Sequence, residues 1–233
     1  MNETIDKFLP LERKLFFALN GSDSVFWDNV FWTYSGRFIW IPLFVFLLFL
    51  FFYKTPRKEA ILTAVFFVLL FVVCDQVSSS VFKPIFHRFR PTHYPGFENM
   101  VDIVNGYTGG RYGFISGHAT NSFGLAVFVS LVLRNKWVTL ATLLWATVNS
   151  YSRIYLGVHF ISDILAGAIV GTLIAILLYE LYVWIRYKYY HVAASAKRRS
   201  VYSRGHAKAV ALFIPAYILL IIVFSSLLVS LPH

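Results

Sequence analysis

Six long apolar runs, separated by short polar segments, dominate the chain. They cover about 24–53 (unbroken only from Phe38), 61–82, 116–133, 137–152, 161–185 and 209–231. About 20 apolar residues in a helix cross the hydrocarbon core of a bilayer, so each run predicts a membrane span. The first is the least regular, because Asp28 and Arg37 interrupt its front half. Ahead of it, Ile5, Phe8, Leu9, Leu15, Phe16 and Leu19 recur at roughly helical spacing among charges. That pattern suits an N-terminal interfacial amphipathic helix and, equally, a short helix packed on the bundle. The predicted fold is an all-α, polytopic membrane helix bundle with about six transmembrane helices. It forms a single membrane-embedded domain over 1–233, with no internal repeat or low-complexity tract.

Composition agrees with that pattern. Only 14% of the residues are charged and 58% are hydrophobic, against roughly 25% charged in a soluble domain. The net charge of +10 could suggest nucleic acid, but its distribution argues otherwise. Three loops, after the first, third and fifth runs, hold twelve of the 21 Lys and Arg residues. Short basic loops mark the cytoplasmic face of a membrane protein. The predicted partners are therefore the bilayer and its lipids, with no nucleic acid. The implied location is a bacterial cytoplasmic (inner) membrane, with both termini outside. The lone Cys74 lies inside an apolar run, which excludes disulfides and cysteine-ligated metal sites. The first twenty residues lack the uninterrupted apolar core of a signal peptide.

The outward loops break the charge rule. Lys83, Arg88, Arg90, Arg111 and Arg153 lie there, with His87, His93, His118 and His159. Bound anions would explain such a cluster. In "KPIFHRFRP", Lys83 and Arg90 are seven apart and share a face if the helix continues past Phe82, although Pro84 tolerates only a helix start or a kink. "GFISGHATNSF" puts Ser116, Gly117 and His118 at the start of the third span, where free N–H groups and the helix dipole favour phosphate. In "SRIYLGVHFISD", His159 and Asp163 stand one helical turn apart, so the carboxylate can fix the imidazole tautomer. Each piece has a plainer reading alone: a solvated basic face, a common turn, a structural His–Asp pair.

Together these stretches resemble the three signature motifs of the type 2 phosphatidic acid phosphatase and haloperoxidase superfamily, K-x6-R-P, P-S-G-H and S-R-x5-H-x3-D. Lys83, Arg90 and Pro91 match the first; Ser152, Arg153, His159 and Asp163 match the third. Ser116, Gly117 and His118 match the second, with Ile115 in place of its usual proline. The motifs span only 83–163, but their order and position between spans agree with the membrane branch of that family.

The resemblance implies a catalytic set. His159 attacks phosphorus to form a phosphohistidine, and Asp163 orients it. His118 protonates the leaving oxygen and then activates water, one residue changing roles between steps. Lys83, Arg90, Arg153, Ser116 and the Gly117 N–H bind the phosphoryl oxygens, which is most of what phosphoryl transfer requires. No metal or other cofactor is implied, since cationic side chains take the role of Mg²⁺. Arg88, Arg111, His87 and His93 are candidate head-group contacts, and Asp75 a buried polar partner. The expected substrate is a membrane lipid phosphate, reached from the periplasm or exterior. The loop 92–112 would read its head group through His93, Glu98, Asp102 and Arg111. Those acidic residues favour a hydroxyl-bearing monophosphate of the lipid A, phosphatidylglycerol phosphate or phosphatidic acid class over undecaprenyl diphosphate. "SGH" points the same way, since it resembles the glycerolipid and lipid A members more than those polyprenyl-diphosphatases that carry "SDH" there. Two other readings remain: a non-catalytic lipid carrier or transporter, and a vanadate-dependent haloperoxidase, which is soluble.

Overall fold

The computed structural model describes residues 9–97 and 99–231. Helices make up most of the described chain, and among the described residues the one β-type pairing is an isolated bridge between Phe89 and Tyr112. Helix α1 is Leu9–Leu19 and α2 is Val25–Ser35. A 3-10 turn, Phe38–Trp40, leads into α3, Ile41–Phe52. Helix α4 runs Arg57–Phe86. Helices α5 (Gly117–Leu133), α6 (Lys136–Tyr155), α7 (Ile161–Tyr189) and α8 (Arg204–Val223) follow.

Helices α4, α7 and α8 are long and apolar enough to cross a membrane, and α2 with α3 makes a fourth span if the pair is one bent element. Only 28% to 33% of their most apolar windows is buried inside the protein, so the remaining apolar faces meet lipid. Helix α5 is apolar but only 17 residues long, and α6 reaches 20 residues but is less apolar. They occupy the middle of the bundle, packed on each other and on α7, α4 and α8. There they bury polar residues, among them Ser122, Asn149, Ser152 and Arg153, although α6 still exposes Trp137, Leu140 and Leu144.

Two expected spans change shape. The first breaks by 72° between α2 and α3, at Ser35-Gly36-Arg37, so Arg37 sits at a bend and not inside a straight helix. The second passes through a π-helical stretch, Val77–Phe82, and Pro84 then falls in the first turn of a final α-helical segment. The helix ends at Phe86, where His87 adopts the left-handed conformation at φ 48°. Arg90 is therefore extended chain, at φ −69° and ψ 158°, and does not share a helical face with Lys83.

Glycine sets the closest contact in the core. A Cβ on Gly171 of α7 would lie 2.1 Å from the Thr120 carbonyl oxygen of α5, and one on Gly167 would lie 2.7 Å from the Ser116 carbonyl oxygen. The spacing Gly167-x-x-x-Gly171 thus lets two backbones touch, the small-residue packing used within membranes. It also pins the start of α5 against the start of α7. Above this joint α1 packs as a lid of sorts: Phe16 is fully buried with Tyr94, Phe97 and Phe160, while Leu15 stays exposed. Burying one such ring contributes about 1.5–3 kcal/mol. Of the residues in the amphipathic pattern, Ile5 and Phe8 lie outside the described residues.

Candidate active site

The C-terminal end of α4, the start of α5, the end of α6 and the start of α7 meet at one end of the bundle. A cavity of about 320 Å³ opens there. Lys83, Arg90, Gly117, His118, Arg153 and His159 all line it, so residues spread over three sequence motifs share one space.

His159 precedes α7, and Asp163 lies in the first turn of that helix. One Asp163 oxygen (Oδ2) accepts from His159 Nδ1 at 3.2 Å and from the Phe160 N–H at 3.0 Å. The carboxylate thereby caps the helix and fixes the tautomer together, leaving Nε2 with its lone pair. Arg90 Nη1 donates to that Nε2 at 3.2 Å. Burial, then the positive charges of Arg90 and Arg153, hold the His159 imidazole well below the usual histidine range. Nε2 is therefore unprotonated at neutral pH, as a nucleophile must be. The same burial, with Arg153 nearby, pushes the Arg90 guanidinium down to about 10, still protonated at neutral pH.

Arg153 is almost fully buried and, among the described residues, hydrogen-bonds only to neutral groups. Nη1 donates to the Ser35 hydroxyl, Nη2 donates to the Tyr107 hydroxyl at 3.1 Å, and Nε has no partner among the described residues. His118 Nε2 donates to the Ser35 carbonyl at 3.3 Å, which leaves its Nδ1 as the basic nitrogen. Ser35, Arg37 and Tyr107 lie outside the sequence motifs, with Arg37 and Tyr107 on the cavity wall. A Ser-Gly-Arg interruption inside an apolar run was the available signal for the first two; nothing local marked Tyr107.

Several expected roles change. Ser116 does not line the cavity: fully buried, its hydroxyl accepts from the Ala119 N–H as the cap of α5. Arg88, expected to touch a head group, is buried behind Asp163. It donates to Asp163 Oδ1 at 2.7 Å and to Glu12 Oε1 of α1 at 2.5 Å. Glu12 also accepts from the N–H and hydroxyl of Ser162, each at 3.0 Å. His87, His93, Asp102 and Arg111 are absent from the cavity wall, and the loop 92–112 contributes Tyr107 instead. Arg111 lies over the rings of Phe89 and Tyr112, and the Asp102 backbone pairs with Asn20. Glu98 lies outside the described residues. Asp75 lines the cavity with Lys83. Among the described residues no three His, Cys, Asp or Glu side chains gather as metal ligands.

The sequence and fold have clear relatives. A lipid A 4'-phosphatase of Porphyromonas gingivalis is 42% identical over 201 residues, covering 85% of this chain and 84% of that protein. The crystal structure of Aquifex aeolicus LpxE superposes with a TM-score of 0.58 at 25% identity, covering 73% of this chain and 95% of that one. The transmembrane PAP2 type phosphatidylglycerolphosphate phosphatase of Bacillus subtilis shares the fold, with a TM-score of 0.60 at 21% identity over 76% of this chain and 86% of its own. The model of the PAP2 superfamily matches residues 62–187, which contain every cavity-lining motif residue, and the chain is a multi-pass membrane member of the PAP2 superfamily.

Proposed function

We propose that this membrane phosphatase hydrolyses a lipid monophosphate of the lipid A class through a phosphohistidine, with its site on the outer face of the inner membrane. The observation that carries the reading is the two-sided cavity. One side presents Lys83, Arg90 and Arg153 with both histidines; the other presents Trp40, Phe44, Phe71 and Leu125. Phe44, Phe71 and Leu125 also line an adjoining groove that continues along Leu48, Phe67 and Val68. Phe71 and Val68 are exposed on the lipid-facing surface. A phosphate can thus sit among cations while its acyl chains stay in the bilayer.

The geometry supports the following chemistry. The phosphoryl group enters between Arg90, Arg153, Lys83 and the free N–H groups that begin α5, and its spreading charge is neutralised there. His159 Nε2 forms a bond to phosphorus while the bond to the lipid oxygen breaks, and His118, which takes up a proton on Nδ1 as the anionic phosphate enters, gives that oxygen this proton. His118 then takes a proton from water as the water oxygen attacks phosphorus and the P–N bond breaks. Asp163 holds His159 in place throughout, and the Arg88–Glu12 pair holds Asp163.

The lipid A assignment comes from the Porphyromonas gingivalis relative. Asp102 lends it no support, since it is absent from the cavity wall. The test is inorganic phosphate release in detergent micelles, without divalent metal, from lipid A, phosphatidylglycerol phosphate, phosphatidic acid and undecaprenyl diphosphate. Lipid A should give the highest kcat/KM, and His159→Ala should abolish turnover and any acid-labile phosphoenzyme. Activity that needs Mg²⁺, or a phosphoenzyme on His159→Ala, defeats the mechanism. For the facing, Lys54, Arg134 and Arg186 lie at the bundle end opposite the cavity, as the basic-inside rule expects. Cysteine at Asn99 should react with an impermeant thiol reagent on intact cells and cysteine at Ser203 should not; the reverse pattern inverts the topology.

A further inference from the structure

Below the two catalytic histidines the cavity does not become purely apolar. Asn121 follows His118 by three residues on α5, and Asn149 precedes Arg153 by four on α6. Each is about one helical turn, roughly 5 Å, deeper toward the bilayer centre than its motif neighbour. Trp145 lies a further turn down α6. All three side chains line the cavity. Asn121 Oδ1, Asn149 Oδ1 and Trp145 Nε1 are each buried without a hydrogen-bond partner among the described residues. Asn149 and Trp145 are 5% and 4% exposed. Buried polar atoms left unpaired are costly, and nearly all in folded proteins find partners. Three on one wall of a catalytic cavity are matched to something that enters it.

The direction of the reaction says what. Attack by His159 places the leaving oxygen roughly in line on the far side of phosphorus, toward His118. The carbon skeleton that carried the phosphate therefore lies on the His118 side, against the wall formed by these residues. We propose that Asn121, Asn149 and Trp145 form a head-group subsite that binds a hydroxyl or acylamide next to the phosphorylated carbon. The two Oδ1 atoms accept from its O–H or N–H, and the Trp145 N–H donates to its oxygen. A diacylglycerol phosphate or polyprenyl diphosphate offers carbonyl or hydrocarbon at this depth, and no donor. A site built to bond an O–H or N–H discriminates strongly against an analogue that lacks it. The subsite rests on the lipid phosphatase reading and adds the chemical reason for its selectivity.

Full-length protein and its Asn149→Leu and Trp145→Phe variants, in detergent micelles, supply the test. The measured quantity is the ratio of kcat/KM for a phosphorylated acylaminosugar lipid to that for phosphatidic acid. The ratio is insensitive to how much variant protein folds. It should fall at least tenfold in Asn149→Leu, about 1.4 kcal/mol of transition-state preference. Trp145→Phe, which keeps the ring and removes only the N–H, should lower it in the same direction. A ratio that does not move overturns the subsite, as does an equal loss on both lipids, which would assign the wall to a step common to all substrates such as water delivery. Binding separates this failure from failure of the reaction. The dephosphorylated acylaminosugar lipid should raise the melting temperature of His159→Ala protein, and the added Asn149→Leu should remove that shift. Protein that binds the glycolipid yet releases no phosphate defeats the reaction and leaves the subsite standing; protein that hydrolyses lipids but does not bind the product defeats the subsite alone.

Discussion

Buried arginines occur at both ends of the bundle, and they are treated differently. At the end opposite the cavity, Arg186 donates through Nε to Glu59 at 2.8 Å and through Nη1 to the carbonyls of Lys197 and Arg199. Its charge is compensated in place. At the cavity end, Arg90 and Arg153 are 8% and 1% exposed, yet among the described residues neither meets a carboxylate. Their partners are a hydroxyl, a phenol, an imidazole and carbonyls. An isolated buried charge is expensive, and proteins normally pair it. One end has therefore completed its electrostatics and the other has left them for an anion. Arg88 shows that the difference is local: a few ångströms behind the cavity, it is bracketed by Asp163 and Glu12.

The sharpest way to break this comparison is a matched pair of substitutions. Arg153→Met should reduce kcat/KM by two orders of magnitude or more, in the range seen when a preorganised charge-stabilising donor is removed. Its melting temperature should hold or rise, because an uncompensated buried cation is gone. Arg186→Met should do the opposite. It leaves Glu59 buried without its cation, a change that costs about 3–5 kcal/mol in comparable pairs, while the folded fraction keeps its kcat. If both variants lose stability equally, the two ends are not different in kind.

A smaller effect concerns pH. With the His159 value depressed by burial and by Arg90 and Arg153, the imidazole remains neutral as pH falls past the unperturbed value of about 6.5. The acid limb of kcat/KM, which reports free enzyme, should therefore lie below that value. The same shift works against the fold: below about pH 6.5 the unfolded chain takes up a proton that folded His159 refuses, so stability declines with falling pH. Removing the positive charge of Arg153 should move the limb upward, and Arg186→Met should leave it in place. A limb at or above 6.5 in the unsubstituted protein contradicts the electrostatic account.

The sequence made the membrane helices and the motif residues legible because both signals are local. Apolar runs show as runs, and His159 and Asp163 lie within one turn. What stayed hidden arrives from far along the chain: Ser35 meets Arg153 across 118 residues, and Glu12 meets Arg88 across 76. The loop 92–112 misled for a different reason. Its charges were visible, but whether a loop side chain turns inward depends on packing that composition does not record. Tyr107, with no charge, was the residue that turned in.

The bend at Ser35-Gly36-Arg37 bears on how the enzyme comes into being. It delivers both a carbonyl to His118 and a hydroxyl to Arg153, although it lies well before residue 62, where the family match begins. A chain emerging from the ribosome makes this piece first and the motifs later. The segment 83–163 carries the motif residues, but His118 and Arg153 gain these partners only once the earlier bend packs against them. Competence is thus a property of the docked molecule, acquired when the bend and the cavity wall come together.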